Sequence, residues 1–165
     1  MPTVEERLAR LEARAEIEDL VALYAQGADR RNDPAIMGPL FADDAVWTAE
    51  GFGTLRGRET IASSLAAVAA ERVTWSIHYM VSPHIELAPD LKTARCHWYL
   101  WEPCTMAGEG LGANDGAEAD TWLGGWYHSE LAATDGGWRF TRVELVVRLQ
   151  GEAQPPWQLK KVVEL

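Results

Sequence analysis

The sequence is short of cysteine, of positive charge and of uninterrupted apolar stretches, and each shortage excludes a class of function. Cys96 and Cys104 are the two thiols in 165 residues. Their spacing fits neither a CxxC redox pair nor a zinc framework, and so few thiols suit a reducing compartment. Fifteen Lys and Arg stand against 25 Asp and Glu, a formal net charge of -10. That charge repels the phosphate backbone that dominates nucleic-acid affinity, so no nucleic-acid partner is expected. No apolar run reaches the roughly 18 residues of a membrane span, and residues 1–14 are too charged for a secretory leader. No membrane partner is expected, and the location is expected to be cytoplasmic. The four histidines lack HxxxH or HExxH spacing, so no metal is expected. Gly108, Gly110 and Gly112 are not followed by a helix signal, and the nearby Asp115, Glu118 and Asp120 would repel a phosphate, which removes a dinucleotide loop. Neither Ser nor Cys sits in a nucleophile elbow. No cofactor is expected.

What remains is an ordinary globular composition, 47% hydrophobic and 24% charged. At about 150 residues per domain, the chain reads as one domain over 1–165. Tryptophan is abundant, eight residues against four Tyr and three Phe; it supplies rigid pocket walls but is equally at home in a core.

Thr3 followed by Glu6 forms a capping box. Leu8, Leu11, Ala15, Ile17, Leu20, Val21 and Tyr24 then recur at helical spacing, which predicts an amphipathic helix to about Asp29. Asn32, Asp33 and Pro34 stop it and start a short second helix ending at Phe41. Residues 45–49 read as a strand, turned by Gly51, Phe52 and Gly53 into 54–56, and the alanine-rich stretch 58–70 reads as a third helix. Strand-like runs follow over 73–87, 93–102, 121–133 and 138–149, separated by turn residues. Helices first and consecutive strands after imply an α+β fold, an antiparallel sheet curling against helices.

Alternation places Ser76, His78, Met80 and Ser82 on one strand face. In the next strand it sets Arg95, His97, Tyr99 and Trp101 opposite Cys96, Trp98 and Leu100. Asp29 falls at a helix C-terminus, where a carboxylate is electrostatically disfavoured and needs a partner. A carboxylate bonded to one imidazole nitrogen fixes the tautomer and raises the basicity of the other, which suits a general base. Asp29 and His78 are therefore a candidate dyad. Tyr24 lies five residues earlier, roughly 140° around an ideal helix, so it lines the same cavity only if the helix bends or frays near Gly27. His84, after Pro83, reads as sitting at a strand irregularity, and His128 as a structural partner of Glu130. Trp47, Phe52, Met80, Trp101 and Trp126 are candidate pocket linings. The tail, with Trp157, Leu159, Val162, Val163 and Leu165, needs cover from a cavity mouth or a neighbouring subunit.

Several segments together carry a family resemblance: residues 14–20, Gly27 to Arg31, Asp43 to Thr54, Ile77-His78-Tyr79 and Gly137 to Phe140. The chain resembles the SnoaL-like branch of the nuclear transport factor 2-like superfamily, which includes dehydrochlorinases and the scytalone and bile-acid dehydratases. The resemblance implies a cone of curved sheet around helices, cofactor-free elimination and a trimeric assembly. It places Asp29 and His78 at the positions of a catalytic Asp and His, His97 at that of a second catalytic His and Tyr24 at that of a catalytic Tyr. The chain departs from the family where dehydrochlorinases carry a catalytic Lys, here Tyr24, and a catalytic Arg, near Val143. Ala28 replaces the Tyr that precedes the Asp in scytalone-type enzymes.

The expectation is a lyase in which His78, oriented by Asp29 and assisted by Tyr24 and His97, removes a proton from a small hydrophobic cyclic substrate while water or a halide leaves. Isomerisation of ketosteroid type uses the same parts. A hydrophobic-ligand binder or accessory subunit is the reading from another class, and a homo-oligomer, trimer or dimer, is expected in either case.

Overall fold

The computed structural model describes residues 1–107 and 118–153. The segment Gly108 to Gly112 and the apolar tail from Trp157 to Leu165 lie outside these residues.

Helix α1, Val4–Asp29, starts at the expected box: the Glu6 amide donates to Thr3 Oγ1 and the Thr3 amide to Glu6 Oε2. Its buried face begins at Ala13 and includes Ile17, Leu20, Val21 and Tyr24. Leu8 and Leu11, expected on that stripe, are exposed because the first turns precede the core contact. Arg14 ties the helix to the sheet by donating to the Ile85 carbonyl at 2.9 Å. The helix runs through Gly27, whose role is close packing: a Cβ there would lie 2.7 Å from the Met37 sulfur. Beyond Asp29, Arg31 and Asn32 take left-handed φ values of 60° and 53°, which Asn tolerates better than most residues. Asn32 Nδ2 donates to the Leu65 carbonyl and Arg31 to that of Ala69, fixing the helix end to α3.

A four-residue helix α2, Pro34–Met37, and a 3₁₀ turn, Gly38–Leu40, lead into β1, Phe41–Ala49, and β2, Gly53–Arg56. Helix α3, Arg58–Glu71, follows, then β3 Val73–Ser76, β4 Tyr79–Leu87, β5 Thr93–Met106, β6 Ala119–Thr134 and β7 Gly137–Glu152. The order β2-β1-β7-β6-β5-β3, with β4 also on β5, makes one curled sheet. All pairings are antiparallel except β1 with β7. The sheet is thus mixed where an antiparallel one was expected, because the long chain between these two strands provides the crossover that a parallel pair requires.

The run 73–87 is two strands. Both pair with β5 in the same register, and Ile77, between them, still donates to the Pro103 carbonyl. A register shift falls between Val81 and His84, where Ser82 has φ 56°, the irregularity expected beside Pro83. The core fills the concave side with Ile17, Phe41, Trp98, Phe140 and Val143, each essentially inaccessible to solvent. Tyr24 meets Phe41, Trp98, Tyr127 and Phe140 in edge-to-face contacts.

Candidate active site

His78 lies between β3 and β4; because its neighbour Ile77 donates to the Pro103 carbonyl of β5, alternation turns the His78 backbone N–H away from β5 and toward the end of α1. There it donates to Asp29 Oδ1 at 2.7 Å, and the same oxygen lies 2.9 Å from His78 Nδ1. An ionised carboxylate only accepts, so Nδ1 carries the proton and Nε2 is left as the basic nitrogen. The side chains are 10% exposed for His78 and 25% for Asp29. Asp29 stands behind the ring, while His78 itself lines a cavity of about 350 Å³ between α1, α3 and the concave sheet. The angular objection to Tyr24 disappears with this arrangement: Tyr24 faces the cavity, and Asp29 does not have to.

Tyr24 is held by two hydrogen-bonding partners. Trp47 Nε1 donates to its hydroxyl oxygen at 2.8 Å, and the Tyr127 hydroxyl is hydrogen-bonded to it as well. Trp47 fills one lone pair of the phenol, and where Tyr127 donates into the other, Tyr24 keeps its own proton to donate. Burial pushes its pKa upward and keeps that proton in place.

Glu102, which the spacing argument passed over, completes the group. Its side chain is 6% exposed and its Oε2 lies 3.5 Å from His78 Nε2. Burial raises its pKa; the nearby His78 opposes the rise, Asp29 adds to it, and a hydrogen bond with Cys104 opposes it. For His78, burial alone would lower the pKa, but Glu102 and then Asp29 outweigh it and the net shift is upward. The signal for Glu102 lay in strand parity: it continues the inward set Cys96, Trp98, Leu100 in β5, where an acid must be paired or neutral.

Trp47 and Phe52 line the cavity with aliphatic neighbours from α3 and β7, and Asn32 and Ser76 add polar points. Four expected site residues do not reach it. His97, Trp101 and Trp126 occupy the outer face of the sheet, because β5 turns its odd-numbered residues outward and Trp126 is the cross-strand partner of Tyr99. Trp101 stacks on Trp122, with ring centroids 5.5 Å apart. His97 Nδ1 lies 3.3 Å from His128 Nδ1, and His84 is its partner on β4. Partial desolvation, His128 and His84, in that order, lower the His97 pKa. His128 therefore sits against His97 rather than beside Glu130 as a partner. Met80 packs on the main core from β4 and stops short of the cavity. Cys96 and Cys104 are buried free thiols, and burial pushes the Cys96 thiol up to about 12, which makes it inert as a nucleophile. Among the described residues no group of three or more His, Cys, Asp or Glu is arranged to hold a metal. No helix among them is long and apolar enough to cross a membrane.

Known proteins place this architecture. The SnoaL-like domain family matches residues 9–144. Hexachlorocyclohexane dehydrochlorinase 1 of Sphingobium indicum is 36% identical over 84 residues, 48% of this chain and 51% of that one, so the match spans about half the length of that curated relative. The structure of the hexachlorocyclohexane dehydrochlorinase LinA-type3 of Novosphingobium barchaimii superposes with a TM-score of 0.79 at 22% identity, over 94% of this chain and 99% of that one. A scytalone dehydratase-like structure from Novosphingobium aromaticivorans gives a TM-score of 0.69 at 21% identity, over 92% and 93%. At these identities the superpositions show a shared fold.

Proposed function

The chain belongs to the SnoaL-like domain family, and from that premise we propose that it is a lyase in which His78 is the general base. The observation that carries this reading is the Asp29–His78 contact at 2.9 Å with His78 lining a largely apolar cavity. Asp29 fixes the tautomer and stabilises the imidazolium that forms; Tyr24 donates to the carbonyl or enolate oxygen of the substrate. Trp47, Phe52, Leu65 and Leu145 favour a small hydrophobic cyclic substrate with an activated C–H, and the volume lies within the usual range of small-molecule sites, about 300–1,000 Å³. A binding protein has no use for a buried carboxylate and imidazole brought together at a cavity wall, which weighs toward chemistry. Side chains alone supply the proton transfer in this scheme, with no cofactor. The likeness to a dehydrochlorinase supports the lyase class, and an isomerase would return the proton to a second carbon. Self-association as a trimer or dimer, in a cytoplasmic setting, completes the proposal.

The test is exchange of α-hydrogens of cyclohexanone and 2-decalone for deuterium, followed by NMR. Wild-type protein accelerates exchange, and His78→Ala loses about 10²–10⁴ of that rate, the usual contribution of a positioned base. A His78→Ala chain that folds and exchanges as fast as the wild type overturns the reading.

A further inference from the structure

We propose that Glu102 is the general acid of this site, and that the group expelled is a hydroxyl leaving as water from the same face as the hydrogen that His78 removes. The inference rests on the Asp29–His78 reading and adds the leaving group and the stereochemistry.

The cavity decides the leaving group. Among the described lining residues the ionisable side chains are Tyr24, Glu50, His78, Glu102 and Tyr127, with no Lys or Arg. A halide or carboxylate leaving as an anion would enter a wall of described residues that carries acids, with the His78 imidazolium as the cation formed in the step. A hydroxyl is a poor leaving group unless it is protonated, and Glu102 is a buried carboxyl suited to hold that proton. Its ion-pair contact is His78 at 3.5 Å and it is hydrogen-bonded with the Cys104 thiol, a weak donor. Burial in such surroundings favours the neutral acid.

The proton count closes within the pair. With His78 neutral and Glu102 protonated, Nε2 takes the hydrogen from Cα, and the C–H electron pair forms the Cα=Cβ bond. The Cβ–O bond breaks, and its oxygen takes the Glu102 proton to depart as water. The site is left as imidazolium and carboxylate 3.5 Å apart, and transfer of the Nε2 proton to Oε2 restores the starting state without exchange with solvent. Loss of HCl would instead require the imidazolium to release its proton to solvent at each turnover. Because acid and base project from neighbouring atoms of one wall, they reach hydrogen and hydroxyl on the same face of a ring. Anti elimination would require them on opposite sides of the substrate.

The experiment compares 3-hydroxycyclohexanone with 3-chlorocyclohexanone, both giving cyclohexenone read by its ultraviolet absorbance, in the wild type and in Glu102→Gln. The expected result is that Glu102→Gln lowers the hydroxyl-to-chloride rate ratio by about 10²-fold or more, within the range of a positioned acid. Substrate deuterated at C2 on the face of the hydroxyl should lose its label in the first-formed enone. Independently of any variant, infrared spectra of the wild type at neutral pH should show a protonated carboxyl stretch that is absent from Glu102→Gln. An equal loss on both substrates, loss of the opposite hydrogen, or absence of that band overturns the role of Glu102 while leaving the base intact. Failure of the wild type to accelerate α-hydrogen exchange overturns the base itself, and the acid with it.

Discussion

A single oxygen, Asp29 Oδ1, accepts from both the backbone and the ring of His78, so one side chain fixes both where the base sits and which tautomer it adopts. Asp29→Asn keeps the shape but loses the charge. Removing an outer-shell carboxylate of this kind commonly costs about 10–100-fold. It also removes the Asp29 charge, which raises the His78 pKa. The sign follows from the chemistry: the base is idle when protonated, so a lower pKa moves the acid limb of the exchange rate to lower pH. Wild-type and Asp29→Asn pH–rate profiles should therefore differ in height and in limb position, and an unmoved limb would show that Asp29 acts through packing alone. Asp29 and His78 were legible because a carboxylate at a helix C-terminus and a lone imidazole near a strand each need a partner. His97 was misplaced because an imidazole looks the same in sequence whether its strand position faces the core or the outside; the alternation already worked out for β5 contained the answer, and it also contained Glu102.

Both ends of α1 and the start of α2 were readable from caps and prolines, since those signals are local, and so was the order of elements; α2 ends at Met37 rather than at Phe41, which opens β1. The break at Ile77 and His78 carries no Gly or Pro. There the His78 amide, turned away from β5, is met by Asp29, distant in sequence, which no local pattern announces. The parallel pairing of β1 with β7 is equally non-local. The two glycines Gly124 and Gly125 mark another irregularity, a register shift between β6 and β7. A Cβ on Gly125 would stand 2.2 Å from the Val146 carbonyl oxygen, whereas one on Gly151 would meet nothing within 4 Å. Gly125→Ala must push two backbones apart and is expected to cost about 3 kcal/mol, the upper part of the usual range for overpacking. Gly151→Ala should stay within about 0.5 kcal/mol. Urea denaturation of both checks the contrast. Gly125 lies two residues before Tyr127 on β6, so the first variant should also disturb the hydroxyl pair with Tyr24 and slow α-hydrogen exchange.

On the scale of the whole molecule, the outer face of the sheet carries apolar surface that a formal charge of -10 does not hide. Tyr79, Val81, Tyr99 and Trp101 are 42–53% exposed. Cross-strand pairing joins Tyr79 to Trp101, Val81 to Tyr99 and Tyr99 to Trp126, so they form one band rather than scattered residues. Contiguous bands of this kind mark association surfaces. Beside the band, register aligns Glu86, Arg95, Glu130 and Arg142 across four strands. Such a row of alternating sign can face a second copy of itself without net repulsion. The proposed homo-oligomer is expected to use this face, and Tyr99→Glu, which places a charge in the middle of the band, should then yield monomers by sedimentation velocity. Because Tyr24, Asp29, His78 and Glu102 are brought together within one chain, those monomers should keep their α-hydrogen exchange if they remain folded by circular dichroism. Unchanged assembly in Tyr99→Glu would move the interface away from the sheet. Loss of exchange in a folded monomer would mean that the neighbouring copy helps to close the cavity, and the site would then have to be described as a property of the oligomer.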